Sequence, residues 1–103
     1  MTYTLRFLPE VEDDAIYGYS WYETKSPGLG EEFLRMFYAC AGDILRNPLL
    51  YPIIHNEFMR CLLRRFPYAL YFTLNIEQII VTGLFHGARD PRAIDSMLQS
   101  RKI

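Results

Sequence analysis

Long apolar runs are missing from this chain: no stretch approaches the ~18 consecutive apolar residues a membrane span needs, so no membrane partner is expected. The opening Met1-Thr2-Tyr3-Thr4-Leu5-Arg6 has no basic region followed by an apolar core. No signal peptide is visible, and the cytoplasm is the expected location. Histidine is scarce. His55 and His86 form one pair without a third ligand at suitable spacing, which argues against a metal site. No Gly-rich phosphate loop and no Ser/His/Asp grouping is present, so no cofactor is expected. There are two cysteines, Cys40 and Cys61, with no metal spacing around either. Two buried thiols in a reduced cytoplasm is the simpler reading; a disulfide or a reactive thiol is the alternative. Internal repeats, low-complexity tracts and linkers are also absent.

What is present fits one domain spanning residues 1–103. Half of the residues are apolar and 16% are aromatic, too apolar a mixture for a disordered segment. A domain this small buries a modest fraction of its surface, so help from a partner is in keeping with its size. The net charge of −1 argues against a strongly basic nucleic-acid binder. Its distribution says more. Through Leu50 there are eight acidic and four basic residues, and from Tyr51 onward four acidic and seven basic, so the halves carry −4 and +3. An anionic partner would meet the second half, where Arg60, Arg64, Arg65, Arg89, Arg92 and Arg101 are concentrated.

Periodicity gives the order of elements. Tyr3 to Leu8 alternates as a strand and stops at Pro9. Val11, Ala15, Tyr19 and Tyr22 mark one face of a helix whose first turn is rich in carboxylates. Ser26-Pro27-Gly28-Leu29-Gly30 is a turn. A second helix carries Leu29, Phe33, Phe37, Cys40 and Ile44 on one stripe and ends at Asn47-Pro48. The short connection makes an antiparallel helical hairpin. The period then falls to near two: Phe58–Leu63, Tyr68–Leu74 and Gln78–Phe85 read as strands, with Asn75-Ile76-Glu77 as the loop of the last hairpin. A short helix carrying Ile94, Met97 and Leu98 closes the chain or is absent. The expected fold is α+β, β-α-α-β-β-β, with the hairpin on one face of a small, mainly antiparallel sheet.

The last two strands are apolar or nearly so on both alternating sets, Tyr68, Leu70, Phe72 and Leu74 against Ala69, Tyr71 and Thr73 in one, and Ile80, Thr82, Leu84 and His86 against Ile79, Val81, Gly83 and Phe85 in the other, as in strands covered on both faces. The hairpin covers one face. A C-terminal helix is too short to cover all of the second, so either an external segment lies there or sheet curvature and the chain ends hide it.

From Met59 the chain reads Met59-Arg60-Cys61-Leu62-Leu63-Arg64-Arg65-Phe66-Pro67-Tyr68-Ala69-Leu70-Tyr71-Phe72, and later Ile80-Val81-Thr82-Gly83-Leu84-Phe85-His86-Gly87-Ala88-Arg89-Asp90-Pro91. This resembles the signature of RelE/ParE-type toxins of type II toxin–antitoxin systems, the ParE-like branch (plasmid stabilisation proteins) in particular. The likeness covers nearly the whole chain, and its specific part, Phe-Pro-Tyr followed by Arg-Asp-Pro, about a third. Cys61, Ala88 and Ile94 depart from the pattern, where arginines and an aromatic are common.

The resemblance implies a growth-inhibiting toxin neutralised by a cognate antitoxin, with a homodimer or a heterotetramer with antitoxin as the assemblies open to it. ParE-like toxins block DNA gyrase, whereas RelE-like toxins cut messenger RNA on the ribosome without metal. RNA cleavage needs a base, an acid and cations for the charge on the phosphate. Arg60, Arg65, His86 and Arg89 are the candidate catalytic residues for it. His86 equally reads as a strand-end residue that hydrogen-bonds locally, and the arginines as solvated or ion-paired. Arg89-Asp90-Pro91 also reads as a helix-initiation device. No tyrosine follows Tyr71, which removes a group that resembles a catalytic residue of the RelE branch. The first expectation is therefore a binding toxin. An antitoxin would lie on the sheet and C-terminal region over Tyr71, Phe72, Phe85 and Leu98. A metal-independent endoribonuclease and an inactive orphan of the fold are the alternatives. Trp21, Tyr22, Phe33 and Phe37 read as core at helical spacing rather than as a stacking platform for bases.

Overall fold

A computed structural model describes residues 2–101. The order is β1 (Thr4–Phe7), α1 (Pro9–Lys25), α2 (Leu29–Arg46), a 3₁₀ turn (Pro48–Leu50), β2 (Ile53–His55), β3 (Phe58–Leu62), β4 (Tyr68–Asn75), β5 (Gln78–His86) and α3 (Pro91–Ser100). The strands form one sheet in the order β1-β5-β4-β3-β2. β1 runs parallel to β5, and every other neighbouring pair is antiparallel. The architecture is α+β, with a fourth strand after the hairpin that the sequence pattern does not announce. That strand, β2, is three residues long and exposed throughout, so it has no alternation of buried and polar positions by which to be read.

The helical hairpin follows from local chemistry. Pro9 opens α1, with Glu10 and Glu12 in the first turn and Lys25 in the last, each where the helix dipole favours its charge. Gly28 adopts φ 89°, a left-handed conformation that glycine tolerates, and starts the second helix there. The Glu23 carboxylate accepts hydrogen bonds from the backbone N–H of Gly28 (3.0 Å) and of Gly30 (3.0 Å), tying the end of α1 to the start of α2. On α1, Gly18 lets the helices approach closely: a Cβ there would lie 2.5 Å from the Phe33 ring.

The buried residues form two clusters. The larger lies between the hairpin and the sheet, where Phe33, Ile44, Leu70, Phe72, Ile79 and Val81 are wholly buried. Each such side chain contributes about 1.5–3 kcal/mol. Phe66 and Tyr68 of the Phe-Pro-Tyr segment join it, packing edge-on to Phe33 at 5.4 and 4.8 Å. The smaller cluster, on the opposite face, is Phe58, Ala69, Tyr71, Phe85, Ile94 and Leu98. The chain's own C-terminal helix therefore covers much of the second face, which the sequence left open between an outside segment and the chain ends. Asp90 caps this helix by accepting from the Arg92 N–H at 2.9 Å, and Pro91 takes its first position. Arg89-Asp90-Pro91 does act as a helix start.

A β-bulge corrects the alternation expected for β5. Tyr71 pairs with Gly83 and Phe72 with Val81, leaving Thr82 as an extra residue. Strict alternation puts Leu84 opposite Val81. The bulge restores it to the same side, so Ile79, Val81 and Leu84 all enter the larger core. It also removes backbone groups from the ladder. The Asp14 carboxylate accepts from the Leu84 N–H at 3.1 Å, and the Arg101 guanidinium donates to the Thr82 carbonyl at 3.1 Å. Asp14 and Arg101 are themselves paired at 2.6 Å, with their side chains only 11% and 10% exposed. One ion pair thus joins α1, the bulge and the end of α3.

Candidate functional site

The face that carries α3 is not fully closed. Between α3 and the β2–β3 side of the sheet runs an open groove of about 580 Å³. Its walls are Ile54, His55, Arg60, Leu62, Phe66 and Pro67 on one side and Arg89, Pro91, Arg92, Ile94, Asp95 and Leu98 on the other, with Ala69 and Tyr71 between them. Alternation on β3 explains what faces it: Met59 and Cys61 point into the larger core, so Arg60 and Leu62 point to the groove. Leu62 is 66% exposed, which is unusual for a leucine beside a buried core. At one end His55 Nε2 stands 2.7 Å from Asp95 Oδ1, a link between β2 and α3.

A second cleft of about 510 Å³ lies on the other side of α3, against α1. It is lined by Asp13, Asp14, Tyr17, Trp21, Tyr68, Leu84, Phe85, His86, Arg89 and Met97. Trp21, expected in the core, is 52% exposed at this cleft, with the Lys25 ammonium 4.1 Å from its ring centre. Its neighbour Tyr22 takes the inward direction instead, 4.7 Å from Phe66. Phe33 and Phe37 are core, as expected.

The four candidate catalytic residues do not meet at one point. Arg60 and Arg89 share the groove, while His86 and Arg89 share the second cleft. Arg65 is elsewhere, in an ion pair with Glu32 of α2. His86 Nδ1 accepts a hydrogen bond from the Ala88 N–H at 2.9 Å, and its ring packs against Tyr68 at 5.3 Å. This is the local role expected of a strand-end histidine. Arg89 lies over the Phe85 ring at 5.3 Å and reaches the Met97 sulfur at 3.2 Å. Among the described residues neither Arg60 nor Arg89 has a carboxylate within ion-pair distance, whereas Arg64, Arg65, Arg92 and Arg101 each have one. No three His, Cys, Asp or Glu side chains among the described residues could hold a metal ion together.

The four candidate antitoxin contacts also divide. Tyr71 and Leu98 line the groove, though most of each is buried in the smaller cluster between the sheet and α3. Phe85 belongs to the second cleft, between the guanidinium groups of Arg89 and Arg101. Phe72 is on the opposite side of the sheet, wholly buried beneath the hairpin. Neighbouring residues of a strand face opposite ways, so Tyr71 and Phe72 cannot serve one surface. The exposed apolar wall that sequence reasoning missed is Leu62 and Ile54. Leu62 was recoverable, because it shares the Phe58–Arg60 side of β3; Ile54 sits on the unannounced strand.

No family model matches the chain. Two solved structures share its architecture. The chromosomal ParDE toxin–antitoxin system from P. aeruginosa matches with a TM-score of 0.74 at 12% identity, covering 82% of this chain and 96% of that one. The RelBE2 toxin–antitoxin complex from Mycobacterium tuberculosis matches with a TM-score of 0.55 at 20% identity, covering 84% and 99%. The fold is therefore that of the RelE/ParE toxins. In sequence, the chain is 26% identical over 102 residues to Toxin ParE2 of two Mycobacterium tuberculosis strains, covering 98% of this chain and 97% of the relative. In sequence and in fold the chain is thus similar to toxins of the RelE/ParE kind.

Proposed function

We propose that the chain is the toxin of a type II toxin–antitoxin pair, that it acts by binding a macromolecular target rather than by cleaving RNA, and that a cognate antitoxin restrains it at the groove beside α3. The observation that carries this reading is the groove itself: open, walled by exposed apolar side chains, and holding Arg60 and Arg89, which have no carboxylate partner among the described residues. A partner segment that presents apolar residues with carboxylates beside them complements both features. Arg60 and Arg89 would take the carboxylates; Leu62 and Ile54 would take the apolar side chains. Tyr71 and Leu98 would form the groove floor. Phe85 would contribute from the second cleft, and Phe72 only by supporting the sheet from behind. DNA gyrase is the target that the ParE-like resemblance suggests.

RNA cleavage on the ribosome is the weaker reading. It needs a proton-transfer group among several cations, and here Arg65 is paired on α2, His86 opens to a different cleft from Arg60, and the groove's own histidine, His55, is held against Asp95 at one end.

Induction of the chain in a bacterial host tests the proposal. The expected result is growth arrest with filamentation and DNA damage, relieved by the small protein encoded in the adjacent reading frame. His86→Ala should leave the arrest intact. Loss of arrest in that variant with an unchanged fold, or rapid loss of translation with cut transcripts, would show a ribonuclease instead. Absence of any arrest would show an inactive orphan.

A further inference from the structure

Cys40 and Cys61 line neither the groove nor the second cleft. They lie on α2 and β3, facing each other across the larger core, and both are free and buried. Their sulfurs stand 2.7 Å apart. The same sulfurs keep 3.7 and 3.8 Å from the backbone carbonyls they approach, so the contact between them is much the closer. A disulfide bond is about 2.05 Å long, so the two sulfurs need to close by less than roughly an ångström. The backbone of α2 and β3 already holds them in reach.

We propose that Cys40 and Cys61 form a reversible disulfide that cross-links α2 to β3, with a hydroperoxide as the oxidant. Cys61 is the attacking thiol. The hydrogen bond from Cys40 favours the Cys61 thiolate and outweighs burial, which opposes it, while the Tyr51 hydroxyl and Arg64 act in the same direction as Cys40. The same sulfur–sulfur contact holds Cys40 in its protonated form. The Cys61 thiolate attacks one oxygen of the hydroperoxide and breaks the O–O bond. Cys61 becomes a sulfenic acid, and the other oxygen leaves as an alcohol, or as water from hydrogen peroxide, carrying the thiol proton. The Cys40 sulfur then attacks the sulfenic sulfur. The S–S bond forms, and the sulfenic hydroxyl leaves as water with the Cys40 proton. Two thiols lose two electrons, and one hydroperoxide gains them. An external dithiol reverses the reaction by exchange. Arg60 and Leu62 flank Cys61 on the opposite face of β3, so the cross-link fixes the strand that presents them without touching either.

The test uses the full chain, reduced and then treated with stoichiometric hydrogen peroxide. Intact mass and alkylation of the denatured protein should show loss of two hydrogens, a fall from two alkylatable thiols to none, and a peptide joining Cys40 to Cys61. Dithiothreitol should restore both thiols, and the oxidised form should melt at a higher temperature. Unreacted thiols, oxygen adducts without a cross-link, or disulfides between two chains would overturn the proposal. In Cys40→Ser, oxidation should stop at a sulfenic acid on Cys61; a sulfenic acid absent there would overturn the order of steps. Should that variant not fold, the mass and cross-link of the unaltered chain decide alone.

Discussion

Replacing Asp14 by alanine removes one carboxylate from three elements at once. It leaves the Arg101 guanidinium, 10% exposed, without its counter-charge, and the Leu84 N–H without its acceptor. Breaking a buried ion pair from one side costs about 3–5 kcal/mol, and an orphaned buried N–H about 1–3 kcal/mol. The slight exposure of both partners admits water, which places the expected loss near the lower end, about 3 kcal/mol. For a domain whose total stability is of order 5–15 kcal/mol, that is a large share. It corresponds to a fall in Tm of roughly 12–24 °C for a chain of this size. Urea unfolding of Asp14→Ala, Arg101→Met and the double variant gives the coupling between the two groups. Arg101→Met keeps an apolar stem over Phe85, and the double variant should recover part of the loss because no buried charge remains. Added salt should change the result little, since the pair is shielded from solvent. A loss below about 1 kcal/mol for Asp14→Ala, or a coupling below about 0.5 kcal/mol, would refute the reasoning.

Other outcomes follow from the same coordinates. Gly18→Ala places a Cβ 2.5 Å from the fully buried Phe33 ring; the clash, about 1–3 kcal/mol, should outweigh the gain in helix propensity of about 1 kcal/mol, and equal or higher stability in urea would disprove the close approach. Burial pushes the Tyr51 phenol up to about 12, helped by Cys61, and raises Tyr22 and Tyr68 as well. The folded state then holds protons that the unfolded chain releases near pH ~10, so stability is complete below that value and falls as pH rises toward about 12. Tyr51→Phe should flatten the decline, and an unchanged alkaline unfolding curve would count against the buried phenol. Charge reversal in the groove, Arg60→Glu, should weaken rescue by the antitoxin while leaving the melting temperature nearly unchanged; undiminished rescue would move the partner elsewhere.

The helical hairpin was legible because its apolar stripe is long and regular: Phe33, Phe37, Cys40 and Ile44 are all buried. The three longer antiparallel strands were legible for a similar reason, since β-branched and aromatic residues recur with a period near two. β2 was not, because three exposed residues bury nothing and carry no pattern. The bulge at Thr82 was hidden too. One inserted residue changes which side every later side chain faces, yet leaves composition untouched. That is why Leu84 was placed with the wrong set. Of the residues named from the sequence, Arg60, Arg89, Tyr71 and Leu98 line the groove, whereas Arg65, His86, Phe72 and Phe85 lie elsewhere. Whether two residues share a surface depends on strand parity and on partners far along the chain, as Arg65 with Glu32 and Tyr71 with Phe72 show. Cys40 and Cys61 were visible as two thiols, whereas their meeting depends on how α2 lies over β3.

The parallel pairing of β1 with β5 sets a timetable for synthesis. Thr4 pairs with Gln78, and Phe7 with Val81, so β1 must wait for a strand made more than seventy residues later. Asp14 waits longer still, for Arg101. A nascent chain can fold its helical hairpin early, but the β1 edge forms only after Gln78–Val81 has been made, and the ion pair only after Arg101. Distant pairings of this kind slow folding, and a nascent chain that has not yet reached Arg101 lacks the clasp between α1 and the end of α3.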